Sequence, residues 1–344
     1  MTGWYTITPS GPITLGNLTP VGQNSGQVGC RWPPNGHQLA ACLFANSPKI
    51  TQFKRQLLGP FWCYQEEVYF TLPQTIYYEP SKQNSDKNKS PTSLFRMQLQ
   101  ENQLREKQWS VQSKHEQKDV EMLGGQFLID REGLQDLCKK KHWSRNGEQL
   151  QELPWETLTL SHNRRGDDFQ VLEENGFFAE MTTLLKPGWS ILVKIIGEDY
   201  NYRTEANSFL GAGATPITIQ PIDLDLDWLE ADCPDATGAV LLTAALWQKN
   251  NKHKVSVPYP PCSLKAYAAE NGIPWQTWKK VKDRNDPKKT VPVLTPGEWM
   301  TPAGAIYLWD GSPPISKSGP FPNPDDYKRD VLGYGHLWLF KEEN

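Results

Sequence analysis

The stretch Leu332-Gly333-Tyr334-Gly335-His336-Leu337-Trp338-Leu339-Phe340, close to the end of the sequence, is the segment around which we expect the chain to be organised. Its two glycines, which take positive φ and carry no Cβ, lead into an alternating apolar run. Leu337 and Leu339 should face one side of a sheet, and Trp338 and Phe340 the other. Because such an apolar strand must be buried, we expect it to join a sheet whose other strands come from much earlier in the chain. A plain structural turn is the alternative interpretation of the glycines, because short glycine motifs often match by chance.

Length and charge indicate two domains without an overall basic character. The 344 residues exceed one ordinary core and suit two domains. The formal net charge of -3 provides no global positive field, so a nucleic-acid site must be a local patch. The 14 tryptophans either fill the core or serve as platforms for bases or sugars.

Cysteine usage and the N-terminal residues indicate a cytoplasmic protein. The six cysteines form no C-x-x-C pair and have no zinc-finger spacing to histidine, which predicts reduced thiols, no metal and no cofactor. The first residues lack the basic and apolar regions of a signal peptide. Because no apolar run is long enough to span a bilayer, we predict no membrane partner.

The N-terminal part of the chain predicts a strand, a long loop and a short helix. Residues 4–8 alternate and are rich in β-formers. The pair Pro33-Pro34 precedes a small-residue helix ending near Phe44, with Asn35 as the N-cap. The basic residues that follow this helix are Lys49, Lys54 and Arg55. A helix start with nearby cations can hold a phosphate, and an ordinary solvated helix end is the equal alternative.

The middle of the chain combines a polar segment with a predicted β-hairpin. Residues 80–118 are dominated by Lys, Gln, Asn, Ser and Glu, which predicts a surface insertion. A short helix is predicted over 133–141. Two β-rich runs, 177–185 and 189–196, flank Lys186-Pro187-Gly188 and predict a hairpin.

The second half contains an acidic run followed by a basic segment. The carboxylates of the acidic run are Asp223, Asp225, Asp227, Glu230, Asp232 and Asp235. They lack EF-hand spacing, so a solvated face or a partner surface is a better interpretation than a cation site. The segment 249–289 is basic with aromatic residues interleaved. Lys279 and Lys280 are its candidates for binding backbone phosphates, with an exposed loop as the alternative.

Strands dominate the predicted elements, and neither half shows βαβ repetition. We therefore predict an α+β fold in which each half is a sheet with one helical layer. The predicted domains are 1–205, with an insertion at about 80–145, and 206–344. The closing strand belongs to the second sheet, with its glycine loop at the domain junction.

Five pieces of the sequence, taken in order, resemble the RAMP superfamily of CRISPR effector proteins. These pieces are Tyr5-Thr6-Ile7-Thr8-Pro9; Pro33-Pro34 with the helix to Leu43; Gly59-Pro60-Phe61 before Tyr69-Phe70-Thr71-Leu72-Pro73; Pro302-Ala303-Gly304-Ala305-Ile306-Tyr307; and Gly333-Tyr334-Gly335. More narrowly, they resemble the Cmr-type (type III-B), Cas-five-like subunit that holds the five-prime end of CRISPR RNA (crRNA). The exact type III subtype stays open.

This resemblance implies two ferredoxin-like, RRM-related domains with loop insertions and a C-terminal glycine loop. It implies a non-catalytic subunit of a ribonucleoprotein complex for antiviral defence, which caps the five-prime repeat tag of crRNA. The implied partners are crRNA, the large polymerase-like subunit and the backbone RAMP subunits, with target RNA contacted indirectly. The predicted RNA-binding residues are His37, Lys49, Lys54, Arg55, Tyr202, Arg203, Lys279, Lys280, Gly333, Tyr334, Gly335 and His336.

Two other functions compete with this hypothesis. RAMP relatives can cut RNA without metal by using histidine as a general acid or base, and His37 and His336 are the candidates here. Alternatively, the many tryptophans suit a carbohydrate-binding protein. The absence of a signal peptide and the basic segment 249–289 disfavour the carbohydrate hypothesis.

Overall fold

The computed structural model is built mainly of β-strands. It describes residues 2–16, 26–28, 32–44, 56–80, 93–101, 107–112, 119–139, 144–145, 150–163, 165, 177–197, 205–248, 256–283, 289–322 and 329–342. These ranges contain two α-helices, α1 (Gly36–Phe44) and α2 (Arg131–Lys139), and two short 3-10 helices, Asp227–Glu230 and Asp330–Leu332. The predicted dominance of strands over a few small helices is confirmed.

The strands are numbered in chain order. The first seventeen are β1 (Thr2–Pro9), β2 (Gly26–Val28), β3 (Gln56–Tyr64), β4 (Glu67–Thr71), β5 (Ile76–Tyr78), β6 (Leu94–Arg96), β7 (Gln98–Glu101), β8 (Lys107–Ser110), β9 (Glu121–Met122), β10 (Phe127–Asp130), β11 (Ser144–Arg145), β12 (Gln151–Glu152), β13 (Trp155–Asn163), β14 (Phe177–Leu185), β15 (Trp189–Ile196), β16 (Ala206–Leu210) and β17 (Thr215–Ile222). The others are β18 (Gly238–Leu241), β19 (Trp247–Gln248), β20 (Ser256–Val257), β21 (Leu264–Ala268), β22 (Ile273–Trp275), β23 (Trp278–Lys282), β24 (Thr290–Leu294), β25 (Glu298–Met300), β26 (Ile306–Trp309), β27 (Gly319–Pro320) and β28 (His336–Phe340).

The largest sheet has eight antiparallel strands in the order β12-β10-β4-β3-β15-β1-β17-β16. Its strand β1 is apolar on both faces: Trp4 joins one core cluster, while Tyr5 and Ile7 join the cluster on the opposite face. Helix α1 covers the Tyr5 face with Leu39 and Leu43. Because β17 pairs with β1, this sheet extends beyond the predicted boundary at residue 205.

The closing strand β28 belongs to a five-stranded antiparallel sheet in the order β21-β26-β18-β28-β27. It pairs with β18, about one hundred residues earlier, as the apolar pattern predicted. Leu337 and Leu339 enter one core cluster, and Trp338 and Phe340 enter another. The prediction that these two pairs face opposite sides of the sheet is therefore confirmed.

The two sheets share a strand arrangement. Their central strands are β3-β15-β1-β17 in the large sheet and β21-β26-β18-β28 in the smaller one. If the four strands of each set are numbered in chain order, their order across each sheet is second, third, first, fourth. Every neighbouring pair in both sets is antiparallel.

One shared core joins the two sheets. The large sheet contributes Phe61 and Leu192 to this core, and the smaller sheet contributes Ile306 and Trp338. Phe61 also packs edge-on against the ring of His336, with the centroids 5.5 Å apart. The glycine loop before β28 therefore lies where the two sheets meet.

The predicted insertion is partly integrated into this core. Strands β5, β6, β9 and β11 form a separate four-stranded sheet, but β10 pairs with β4 in the large sheet. Leu134 and Leu137 of α2 are fully buried in the shared core. Helix α2 was predicted two residues too late. Within the polar segment 80–118, Leu94 and Arg96 of β6 are buried, so its described part is not only a surface insertion.

The predicted hairpin is wrong in its pairing although both of its strands exist. Strands β14 and β15 have the predicted bounds, but β14 pairs with β13 and β2, whereas β15 pairs with β1 and β3. Both edges of β15 are occupied by strands of the large sheet. The turn at Lys186-Pro187-Gly188 therefore connects two different sheets.

Candidate functional site

Four motifs that are far apart in the sequence line one cavity of about 210 Å³ between the sheets. They are Pro33-Pro34, Gly59-Pro60-Phe61, Pro302-Ala303 and Gly333-Tyr334. All four belong to the sequence pieces that carried the family resemblance. Their convergence makes this cavity the strongest candidate for a functional site among the described residues.

Close backbone contacts hold the motifs around the cavity. Gly333 has a φ of +77°, and a Cβ there would lie 2.6 Å from the carbonyl oxygen of Gly59. At the start of α1, a Cβ on Gly36 would lie 1.9 Å from the carbonyl oxygen of Leu332. Neither position has room for a side chain, so glycine is needed where the C-terminal loop crosses β3 and α1.

Helix α1 begins with the predicted cap. Asn35 Oδ1 accepts hydrogen bonds from the backbone N–H groups of His37 and Gln38, at 3.1 and 3.2 Å. In return, the backbone N–H of Asn35 donates to Gln38 Oε1 at 2.9 Å. This reciprocal arrangement fixes the first turn of the helix beside the cavity.

The predicted site residue His37 contacts the glycine loop. Its Nδ1 lies 2.9 Å from the Tyr334 hydroxyl oxygen, and its ring centroid lies 5.6 Å from that of Trp275. Burial, with a smaller contribution from the charge of Arg329, lowers the pKa of His37 to about 4. The ring is therefore neutral at physiological pH and serves as a hydrogen-bond partner rather than a cation for phosphate.

A buried ion pair supports the same corner of the site. Arg329 pairs with Glu298, and the two side chains are only 2% and 3% exposed. The Arg329 guanidinium also lies 5.3 Å from the centre of the Trp275 ring. The pair therefore anchors Trp275, which packs in turn on His37 and Tyr334.

Three tryptophans form an aromatic wall of the cavity. Trp62 and Trp155 have ring centroids 4.8 Å apart, and Trp32 lies 6.0 Å from each of them. Within the described ranges, the buried Trp32 Nε1 has no hydrogen-bond acceptor. Among the described residues, the lining includes the carboxyl group of Glu270 and the amide of Asn271 but no lysine or arginine. Such a cavity suits a planar aromatic group better than a phosphate.

The predicted RNA contact of the His336 side chain requires correction. His336 is fully buried, and its Nε2–H donates to the carbonyl oxygen of Leu229 at 2.9 Å. Its backbone N–H donates to Thr243 Oγ1, and burial lowers the pKa of its ring to about 4. Tyr334 is 5% exposed and packs against His37 and Trp275. The His336 side chain therefore supports the loop without reaching the surface, whereas Tyr334 supports the loop and also lines the cavity.

The other predicted site residues are placed as follows. Gly333 lines the cavity, and Gly335, with a φ of +69°, packs against the ring of Trp247. Lys49, Lys54, Arg55, Tyr202 and Arg203 lie outside the described residues. Lys279 and Lys280 lie in β23, where their backbones pair with Val293 and Pro292 of β24. Their side chains are not among the described ones.

Sequence reasoning missed the aromatic wall as a site. Trp32 directly precedes Pro33-Pro34, and Trp62 directly follows Gly59-Pro60-Phe61, so the motifs themselves marked these two tryptophans. Nothing in the sequence around Trp155 distinguishes it from a core residue. It reaches the cavity because β13 starts beside the large sheet.

The described part of the chain contains neither a metal site nor a membrane-spanning helix. No three His, Cys, Asp or Glu side chains gather there at a spacing that would bind a metal ion. None of its helices has the length and apolar character needed to cross a bilayer. The cysteines found there with free thiols, as predicted, are Cys42, Cys63, Cys138, Cys233 and Cys262.

Comparison with known proteins gives a family match. The model of the family described as CRISPR-associated protein (Cas_Cmr3) matches residues 43–313, which is most of the chain. No curated protein matches the sequence.

Distant similarity to solved structures was also found. One is a chain from a cryo-EM structure of the type III-B Cmr-beta complex bound to cognate target RNA and AMPPnP, with 10% identity and a TM-score of 0.46. Another is a chain from the same kind of complex bound to cognate target RNA, with 9% identity and a TM-score of 0.46. Each alignment covers 89% of this chain and 86% of the other.

Proposed function

This chain belongs to the Cas_Cmr3 family of CRISPR-associated proteins, and from that premise we propose that it is a non-catalytic RNA-binding subunit of a type III CRISPR effector complex. In this proposal it anchors the five-prime repeat tag of crRNA and contacts the large subunit and the backbone subunits. It acts in the cytoplasm, in antiviral defence. The family match and the convergence of four sequence motifs on one cavity are the observations that carry the proposal.

The cavity is the proposed place for an unstacked base of the tag. Single-stranded RNA is recognised mainly through bases that stack on aromatic rings and hydrogen-bond through their edges. The wall of Trp32, Trp62 and Trp155 offers the stacking surface. The Trp32 Nε1–H is a donor, and Glu270 and Asn271 supply further polar groups for the base edge.

The phosphates of the tag would then be bound outside the cavity. Strands β22 and β25 form a two-stranded ribbon, and β23 and β24 form the next one. Trp275 ends β22, and β23 with its lysines begins three residues later in the chain. We propose Lys279 and Lys280 of this ribbon as phosphate contacts. Lys49, Lys54, Arg55, Tyr202 and Arg203 stay proposed contacts from the sequence alone.

We also propose that each sheet is the core of a ferredoxin-like, RRM-related domain. The support is the strand order of second, third, first, fourth with antiparallel neighbours in both sheets, which is the order of the ferredoxin-like fold. In the first unit, α1 occupies the expected place between β1 and β3. Because β17 completes the first set, we now place the domain boundary after Ile222.

The two histidines that sequence reasoning offered for RNA cleavage are poorly suited to it. His336 is fully buried and donates to a backbone carbonyl. His37 is engaged with Tyr334, and its pKa of about 4 makes it a weak base. We therefore propose that the subunit holds crRNA without cutting it.

A cross-linking experiment tests the placement of the tag. The effector complex would be reconstituted with crRNA that carries 4-thiouridine at single tag positions, then irradiated and analysed by mass spectrometry. We expect cross-linked peptides that contain Trp32, Trp62 or Trp155, from tag positions only. Cross-links to other surfaces of the subunit, with none at the wall, would overturn the placement in the cavity.

A further inference from the structure

A second groove, of about 590 Å³, lies between α2 and the closing strand β28. Its floor is apolar, with Trp228, Trp338 and Phe340 as the largest side chains, and Gln135 of α2 forms part of one side. It shares no lining residue with the cavity described above. The groove is therefore a separate surface that the proposed RNA site does not use.

Trp228 is the central residue of this groove. Its ring packs edge-on against Phe70 and Trp338, with centroids 5.4 and 5.8 Å apart, and Arg131 lies 5.2 Å over it. Among the described residues no acceptor meets its buried Nε1–H. The indole is thus firmly positioned, with an unmatched donor, beside an open apolar surface.

The later part of the acidic run 223–235 reaches this groove, where Trp228, Ala231, Asp232 and Cys233 belong to the lining. Two of its carboxylates are neutralised, since Glu230 pairs with Lys194 and Asp235 pairs with Lys341. The remaining ones are Asp223, Asp225, Asp227 and Asp232, and within the described ranges no lysine or arginine side chain pairs with them. Asp232 is itself a lining residue, and Asp227 directly precedes Trp228.

The described cations near the groove do not cancel this negative charge. Arg131 stands over the Trp228 ring, and Lys341 is engaged with Asp235. Lys317 meets Asp232 only through a backbone bridge. Carboxylates that no described cation neutralises repel phosphates and attract ammonium and guanidinium groups. Asp225, Asp227 and Asp232, here called the acidic rim of the groove, therefore favour a basic protein segment over RNA.

We propose that this groove docks a lysine- or arginine-rich segment of a neighbouring protein subunit. The cations of the segment pair with Asp225, Asp227 and Asp232, and one of its apolar side chains packs on Trp228 and Trp338. Charge complementarity identifies the occupant as protein, and the apolar floor supplies the buried contact that binding requires. This inference rests on the proposed function as a subunit, for which it names a contact surface.

The test reverses the charge of the rim. The full-length variant Asp225→Lys/Asp227→Lys/Asp232→Lys would be assembled with the other effector subunits and crRNA, and the affinity for each purified subunit measured. The control Glu67→Lys/Glu101→Lys/Glu156→Lys makes the same charge change at exposed positions of β4, β7 and β13. We expect the rim variant to lose about tenfold or more in affinity for one subunit, less so at high salt, and the control to lose none.

Zero-length carbodiimide coupling of carboxylates to lysines gives a second readout on the wild-type complex. We expect cross-links from Asp225, Asp227 or Asp232 to lysines of one subunit. If both variants assemble equally well and the rim cross-links to no subunit, the docking proposal is wrong. A groove filled by a second copy of this chain, or cross-linked to RNA, would also overturn it. If the wild type itself joins no effector complex, the proposed function fails instead.

Discussion

His37 and Tyr334 are 297 positions apart in the chain, yet His37 Nδ1 lies 2.9 Å from the Tyr334 hydroxyl oxygen. This contact joins the start of α1 to the glycine loop before β28. The same two segments meet where a Cβ on Gly36 would collide with the backbone of Leu332. The first helix and the last strand therefore close the cavity together, and damage to this contact should affect both stability and RNA binding.

Gly333→Ala should destabilise the fold. The positive φ costs an L-residue about 1–2 kcal/mol, and the overlap of its Cβ with the Gly59 carbonyl adds about 1–3 kcal/mol. Denaturant unfolding measures the sum. Gly311→Ala is the matched control, because Gly311 has a φ of +92° but nothing within 4 Å of its Cβ position. An equal loss in both variants would show that the close approach at Gly333 contributes nothing.

Arg329→Met should be strongly destabilising. It removes the Arg329 guanidinium from the buried Glu298 carboxylate, and breaking a buried ion pair typically costs about 3–5 kcal/mol. The double variant Arg329→Met/Glu298→Gln should recover part of this loss in a double-mutant cycle. Lys186→Met, which breaks the exposed pair with Glu152, should stay within about 1 kcal/mol of wild type. If Arg329→Met lowers the free energy of unfolding no more than Lys186→Met does, the buried pair does not anchor this part of the fold.

Stability should fall as the solution is acidified, in part because of His37. Its pKa is lowered from 6.5 to about 4 on folding, so between these values the unfolded chain takes up the proton first. The contribution of His37 is present above pH 6.5 and lost as the pH falls toward 4. His37→Gln should remove about 1.4 kcal/mol of slope per pH unit in this window, measured by urea unfolding. An unchanged slope would show that the ring is not held neutral.

Trp155→Ala should weaken RNA binding. Loss of one stacking platform costs about 1–3 kcal/mol, which is about 5-fold to 150-fold in affinity. Fluorescence anisotropy with a labelled tag RNA measures this loss in the assembled complex. Trp155→Phe should retain most of the affinity because a ring remains. Phe209→Ala removes an aromatic residue that is 63% exposed and should have no effect. A similar loss at both positions would argue against a specific base site.

Local chemistry and strand periodicity explain what could be predicted from the sequence. The alternation in β28 separated Leu337 and Leu339 from Trp338 and Phe340, because period two alone decides which face a side chain takes. Asn35 was recognised as a cap because capping involves only neighbouring residues. The glycine and proline motifs marked the lining of the cavity, although nothing local showed that they would meet.

The main failures depend on partners distant in the chain. Strands β14 and β15 looked like a hairpin, but β15 finds better neighbours in β1 and β3. His336 was predicted to contact RNA because it follows a glycine loop. It is instead buried, and it hydrogen-bonds to Thr243 and Leu229, which lie 93 and 107 positions earlier in the chain. Trp155 carried no motif at all. Position in the sequence does not reveal such long-range burial.

The central claim is that this subunit anchors the crRNA tag. Its most direct test is to purify the tagged chain from a CRISPR-bearing host and sequence the RNA that accompanies it, beside the Trp155→Ala variant. We predict one population of short RNAs that share a constant five-prime tag, together with the other effector subunits, and a reduced yield from the variant. An effector complex that retains the same tagged RNA after this subunit is removed would contradict the account.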